Sequence, residues 1–424
     1  MQICNASVKF LIAICLVVFA GCGGDDETVA PLQDTTAPAA ITDVACIDRS
    51  NVSATLQWTA TGDDDNTGTA TSYQIRFSMA MIDSANWSSA TLATGAPTPK
   101  TAGSTETHEV TGLAPMTRYY FALKAADETP NWSGVSNSPD TTTDLPALLQ
   151  ITTHPAVDHS PAYSADGTML AFVSERGGFG QEIWILPATG GAAIQITSFS
   201  NASASYYSQS PSWSPTGDSL VFHSNNMGSY DIWVVDVSAG APYQPYRITS
   251  LATDEQFPEW SHDGTMIAFC DDCDAANSDI YYVSPAGGSR TQVTTDGLAN
   301  RSPTWSPNDD NIAFNSFRDG NVSIYSIQLS SGLISRVSFE RDEETNPSWS
   351  PDGNFIAYMQ NSSEGPPSRW NVSYVSITSG VSHTVTDTND GLHQNFPWWS
   401  PDGKRIAYTN WSTPEANIYS VRIQ

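Results

Sequence analysis

Pro211-Ser212-Trp213-Ser214-Pro215-Thr216-Gly217-Asp218-Ser219-Leu220-Val221-Phe222 decides the fold. A proline, an aromatic residue two positions on, a glycine-bearing turn and an alternating strand ending in Phe describe two antiparallel strands and their connection. The same phrase begins again at Pro161, Pro258, Pro303, Pro347 and Pro397, so that successive copies lie 50, 47, 45, 44 and 50 residues apart. The first aromatic is Tyr163, Trp213, Trp260, Trp305, Trp349 or Trp399, and the following strand ends at Phe172, Phe222, Phe269, Phe314, Tyr358 or Tyr408. A third strand follows at Ile183-Trp184, Ile232-Trp233, Ile280-Tyr281, Ile324-Tyr325, Val372-Ser373 and Ile418-Tyr419; only the fifth copy lacks the aromatic.

A fourth strand closes five copies, at Ile196-Thr197, Ile248-Thr249, Val293-Thr294, Val337-Ser338 and Val385-Thr386. Its sixth counterpart precedes the first copy, as Leu149-Gln150-Ile151-Thr152. Four strands per period of this length predict a β-propeller. The displaced strand predicts six blades in a closed ring, because it fills the edge that an open array would expose. The recurring aromatics are expected to pack between sheets, and Ala165-Asp166-Gly167, Pro351-Asp352-Gly353 and Pro401-Asp402-Gly403 are explained by turn chemistry alone.

These repeats resemble the WD-like repeats of the TolB-type propeller, a family whose six-bladed members bind envelope partners in the periplasm. The family places an α/β domain before its propeller, and this chain does not. Residues 37–143 instead alternate apolar and polar positions in short runs at Ile41–Ile47, Ala54–Trp58, Ser72–Phe77, Thr107–Val110 and Tyr119–Ala125, the pattern of a β-sandwich. Gly112-Leu113-Ala114-Pro115-Met116-Thr117-Arg118-Tyr119-Tyr120-Phe121 resembles the fibronectin type III signature. That resemblance makes Tyr119 the corner tyrosine, Trp58 the buried tryptophan of an early strand and Tyr73 a core residue. The expected fold class is therefore all-β, a fibronectin type III sandwich at 37–143 followed by a six-bladed propeller at 148–424.

The N-terminus supplies an address. Lys9 is the only charge before an apolar run from Phe10 to Ala20, too short to span a bilayer and suited to a secretory signal. The run ends Phe19-Ala20-Gly21-Cys22, which resembles the lipobox of bacterial lipoproteins, with Phe19 where Leu is usual. The resemblance implies a signal peptide at 1–21, lipidation of Cys22 and a tether over 22–36. Gly23 after the cysteine implies the outer membrane, with a periplasmic or a surface-exposed location both open.

The chain of 424 residues sets 17 Lys and Arg against 45 Asp and Glu, a formal charge of −28. No basic stripe exists to neutralise phosphates, which argues against nucleic acid and against binding to anionic membrane beyond the lipid anchor. Of six cysteines, Cys46, Cys270 and Cys273 reach the mature fold. Cys46 lies in an alternating run and is expected to be buried. Cys270-Asp271-Asp272-Cys273 has no second C-x-x-C to complete a zinc site, so a local disulfide is expected.

Candidate binding residues stand just ahead of each repeat proline: Asp158-His159, Ser208-Gln209, Glu255-Gln256, Asn300-Arg301, Glu344-Thr345 and Gln394-Asn395. They differ between blades and are expected to converge on the channel mouth, with His159, Gln209, Gln256, Arg301 and Asn395 foremost. The longer loop Ser198–Ser210 adds Tyr206 and Tyr207 over the opening. Such a set of donors and acceptors suits a peptide segment of an envelope protein or a glycan; a water-filled rim whose groups satisfy one another is the bland alternative.

No G-x-S-x-G nucleophile elbow occurs, so no catalytic residue is assigned and a non-catalytic docking protein is favoured. The competing class is a carbohydrate-binding protein or a metal-dependent lyase. The repeat also resembles that of oligogalacturonate lyases, and the resemblance implies a divalent metal held by His and Gln, for which His159, Gln209, Gln256 and His393 are the positions available. No cofactor is otherwise implied, with calcium at Asp63, Asp64 and Asp65 a minor alternative to a solvated turn, since consecutive acids lack EF-hand spacing.

Overall fold

The computed structural model describes residues 34–200, 206–273, 275–340, 342–362, 369–386, 393–412 and 415–423. The signal segment, Cys22 and most of the tether lie outside them. The chain divides into two compact units, Met1–Thr143 and Asp144–Gln424.

The first unit is a sandwich of a three-stranded sheet, Ala45–Arg49, Ser53–Thr59 and Thr105–Thr111, and a four-stranded sheet. The latter orders Thr91–Leu92, Ser72–Ser78, Arg118–Ala126 and Asp140–Thr142. Alternate residues of the long strands face one core, including Leu56, Trp58, Ile75, Phe121 and Leu123. Trp58 meets Tyr73 edge to face with ring centroids 5.3 Å apart. Tyr119 makes the corner, its hydroxyl accepting from the Ala114 amide at 3.2 Å.

Two details depart from the sequence pattern. The first strand begins at Ala45, not Ile41, because the side chain of Asn137 takes the place of a strand partner: it accepts from the Val44 amide at 2.9 Å and donates to the Val44 carbonyl at 2.8 Å. Ile41 and Val44 still enter the core. Cys46 is half-buried and unpaired, because its strand is the sheet edge.

The second unit is six four-stranded antiparallel sheets. Their innermost strands are Asp158–Tyr163, Ser208–Trp213, Glu255–Trp260, Arg301–Trp305, Glu343–Trp349 and His393–Trp399. Blades 1 to 6 are numbered in that order. Blade 6 takes its outer strand from Leu148–Gln150, which pairs with Glu415–Arg422 in the register Tyr419 to Gln150 and Val421 to Leu148. The ring is thereby closed.

Six apolar clusters fill the six blade interfaces. Phe222 and Trp213 of blade 2 join Ala171, Val173 and Ile185 of blade 1, and Phe314 and Trp305 of blade 4 join Ala268 and Ile280 of blade 3. Tyr163, Leu170 and Phe172 of blade 1 likewise meet Ala407 and Ile418 of blade 6. The expected inter-sheet role of the recurring aromatics therefore holds, and indole N–H groups add to it: Trp213 Nε1 donates to the Ala162 carbonyl and Trp305 Nε1 to the Glu259 carbonyl, both at 3.2 Å. A blade buries its faces only against neighbours, so closure completes the core of every blade.

The innermost strands share a distortion that shapes the channel. The residue before each repeat proline is left-handed: Ser160, Ser210, Phe257, Ser302, Asn346 and Phe396 have φ between 49° and 55°. Each sits at a break in the register with the second strand. Proline cannot donate to a ladder, so the strand bulges there and turns the proline toward the axis.

Candidate functional site

A channel runs between the innermost strands. On one side of its waist it is walled by the prolines and the left-handed residues, Ser160-Pro161, Ser210-Pro211, Phe257-Pro258, Ser302-Pro303, Asn346-Pro347 and Phe396-Pro397. On the other it is walled by Trp213, Trp260, Trp305, Trp349 and Trp399 with their neighbouring serines. The antiparallel order puts the loops from second to third strand, and from outer strand to the next blade, at the proline end. We call this the loop face, and the opposite end the turn face.

The pairs ahead of the prolines do not all reach the mouth. Asp158, Ser208, Glu255, Asn300, Glu344 and Gln394 are fully buried. An extended strand alternates its side chains, so only the second member of each pair can face the opening. Glu255 and Glu344 are pushed up to about 7 by burial, the former although Arg290 Nη1 stands 4.0 Å away.

The second members are not grouped alike. His159 is buried; its Nδ1 lies 2.9 Å from Ser160 Oγ and its ring between Phe396 and Trp411. Burial lowers its pKa to about 4, which keeps the imidazole neutral. Gln209 Nε2 donates to Gln181 Oε1, and Gln209 Oε1 lies 3.3 Å from His223 Nε2. His223 is lowered to about 3 by burial, while its Nδ1 accepts from the Phe257 amide at 3.3 Å. Gln181 Nε2 in turn donates to Glu175 Oε1 at 3.0 Å, so a chain of two amides and one neutral imidazole crosses blades 1 and 2. Gln181 and His223 were missed in the sequence, where nothing but their place near strand ends distinguishes them.

Tyr206 and Tyr207 belong to the same corner, since the Gln181 amide donates to the Tyr206 carbonyl at 2.9 Å and Ser208 N to the Gln181 carbonyl at 2.8 Å. Tyr206 is half-buried and Tyr207 exposed. The remaining candidates stand apart. Gln256 is buried on blade 3. Arg301 donates to the Ala275 carbonyl at 3.1 Å and to Ser278 Oγ at 3.4 Å, which ties its guanidinium to the loop between the second and third strands of blade 3. Asn395, oriented to satisfy both amide atoms, donates to the Gln394 carbonyl at 2.9 Å and accepts from Trp411 Nε1 at 3.2 Å.

His393 Nδ1 accepts from the Trp370 amide at 3.4 Å, and no hydrogen bond joins it to His159, Gln209 or Gln256. Among the described residues, no group of three or more His, Cys, Asp or Glu is placed to hold a metal ion. Asp63 and Asp64 are raised, by desolvation first and then by neighbouring carboxylates including Glu128 and Asp127. Cys270 and Cys273 form a disulfide at the loop face of blade 3, with both residues buried.

This fold defines a two-domain, all-β protein with a closed propeller. A fibronectin type III family model matches residues 39–137, and a TolB β-propeller domain model matches residues 273–424. The chain combines a fibronectin type III domain with a TolB-like propeller. A TolB homolog from Chlorobium luteolum is 29% identical over 165 residues, covering 38% of this chain and 34% of the relative. An uncharacterized protein from Agrobacterium fabrum is 28% identical over 155 residues, covering 36% and 49%. The matched region therefore spans half or less of either relative. A structure described as TolB from Agrobacterium tumefaciens superposes with a TM-score of 0.50 at 20% identity, covering 65% of this chain and 97% of that one, a likeness of fold.

Proposed function

We propose that the propeller is a non-catalytic protein-docking module of the bacterial envelope, anchored by lipid on Cys22, with the fibronectin type III domain as its spacer. The observation that carries this reading is an apolar collar on the loop face. Phe179, Met227 and Phe317 tip the loops between second and third strands, while Tyr207, Leu298 and Phe339 lie on loops that lead into the next blade, and all six are exposed. Phe339, Met227 and Phe317 expose 65%, 63% and 54% of their surface. Exposed apolar residues gathered at one end, among polar neighbours, mark interaction surfaces. No helix among the described residues is long and apolar enough to cross a membrane.

A glycan is the second reading, favoured by the half-buried amides of Gln181 and Gln209 next to exposed Tyr207, a donor, acceptor and ring set that grips sugars. Crosslinking the intact protein in its native envelope, followed by mass spectrometry, separates the two. We expect one protein adduct that falls at least tenfold in a Phe179→Ser/Phe317→Ser/Phe339→Ser variant of unchanged melting temperature. An adduct unaffected by the variant would move docking off this face, and no protein adduct at all would favour the glycan.

A further inference from the structure

The middle residue of the repeat phrase does one structural job in several blades. Ser212 Oγ accepts from the Trp260 amide of the next blade at 3.3 Å, and Ser348 Oγ accepts from the Trp399 amide at the same distance. Glu259 holds this place in blade 3: its Oε1 accepts from the Trp305 amide at 2.9 Å and from Thr304 Oγ1 at 3.0 Å. A single hydroxyl suffices in blades 2 and 5, so the second carboxyl oxygen of Glu259 is surplus to packing.

Glu259 lines the channel on both sides of its waist and is the one carboxyl group among the described residues that does so. Only 9% of the residue is exposed. Trp398 lines the same two sides from blade 6, opposite blade 3 in a ring of six. Beyond the waist the turn-face wall is tryptophan, and every turn around it carries an acid: Asp166, Asp218, Asp263, Asp309, Asp352 and Asp402. Asp166, Asp218 and Asp263 are held below the usual carboxylate range, chiefly by hydroxyls of Ser164, Thr216 and Ser261.

We propose that the turn-face mouth of the channel binds a primary alkylammonium group, with the free oxygen of Glu259 as its acceptor and the tryptophans as its wall. The rim acids draw cations inward by their field. The aromatic wall accepts the alkyl stem and favours an organic cation over a neutral molecule of the same shape. Burial pushes Glu259 up to about 8 and Asp309 of blade 4 adds to it, so the ammonium group must displace a proton. Besides Glu259, the wall itself carries two titratable side chains, Tyr163 and His262, the latter 3.3 Å from Asp309, and the six turn acids stand around them. This site lies at the opposite end of the channel from the apolar collar, and the two proposals fail independently.

The test is calorimetric titration of the full chain with butylammonium chloride and with 1-butanol at pH 6.5 and 9. Butylammonium should bind, about thirtyfold more tightly at pH 9 than at pH 6.5, as expected when the carboxyl must ionise first. Glu259→Gln, which keeps an oxygen for Trp305 and Thr304, should lose both the binding and its pH dependence. Equal affinity for butanol and butylammonium, or no binding of butylammonium at either pH, would overturn the proposal without any variant. A parallel titration with acetyl-Ala-Lys-Ala-amide identifies the source: binding points to a lysine side chain of a partner, whereas binding of butylammonium alone points to a free amine.

Discussion

Thr152 Oγ1 accepts from the Ile418 amide at 2.9 Å across 266 residues of chain. The same bond occurs once in every blade, between the third strand and the Thr or Ser that ends the fourth: Ile183 to Thr197, Ile232 to Thr249, Ile280 to Thr294, Ile324 to Ser338 and Val372 to Thr386. In five blades it is local, and in the sixth it ties the beginning of the propeller to its end.

Thr152→Val keeps the shape and removes the acceptor, leaving a buried N–H unpaired at a cost of about 1–3 kcal/mol. The melting temperature of the propeller should fall by several degrees, read by calorimetry. An unchanged value would mean that this junction is not part of the cooperative unit.

Tyr119→Phe removes only the hydroxyl that holds the Ala114 amide. The fibronectin type III domain should lose about 1 kcal/mol. A domain unfolding transition that does not move in denaturant would show that the corner bond contributes nothing net.

Glu344 titrates at about 7 in the folded chain instead of 4.5, because burial outweighs its bond from Ser338. Between those values the folded state holds a proton that the unfolded state has released. This residue's contribution is therefore most favourable below about pH 4.5 and declines as pH rises through 7. Glu344→Gln should raise the melting temperature at pH 8 and leave it nearly unchanged at pH 5; equal shifts at both pH values would remove the carboxyl from the explanation.

The Cys270–Cys273 disulfide closes a four-residue loop beside the blade 3 and blade 4 interface. A loop of that length is worth about 2 kcal/mol in the chain-entropy account. Cys270→Ala/Cys273→Ala should melt several degrees lower than the parent and be insensitive to reductant. A parent that melts identically with and without reductant, under denaturing conditions that open the bond, would contradict this.

Much of the architecture was legible because it repeats. Six copies of proline, aromatic and Phe or Tyr at strand spacing place the same side chains at six equivalent interfaces, and Leu149 to Thr152 revealed closure by matching strands found elsewhere only after a blade. Tyr119 and Trp58 were equally readable, since each belongs to a local pattern. Asp140–Thr142 was not, because a short edge strand needs a partner more than an alternation of its own.

The sites were less legible, for a physical reason. Periodicity assigns a residue to a strand and a side, but the left-handed residue before each proline breaks that alternation and exchanges what faces the axis. It brought Phe257-Pro258 and Phe396-Pro397 to the channel, while the alternation ahead of it buried Asp158, Glu255 and Glu344. Sequence alone determined a lipobox-like start, a sandwich and six blades in a ring, because local propensity and apolar spacing suffice for these. Only the tertiary structure joined Gln181, Gln209 and His223 in one chain, and set Glu259 across the channel from Trp398. Those neighbours are created by ring closure, which brings together strands that no spacing along the chain connects.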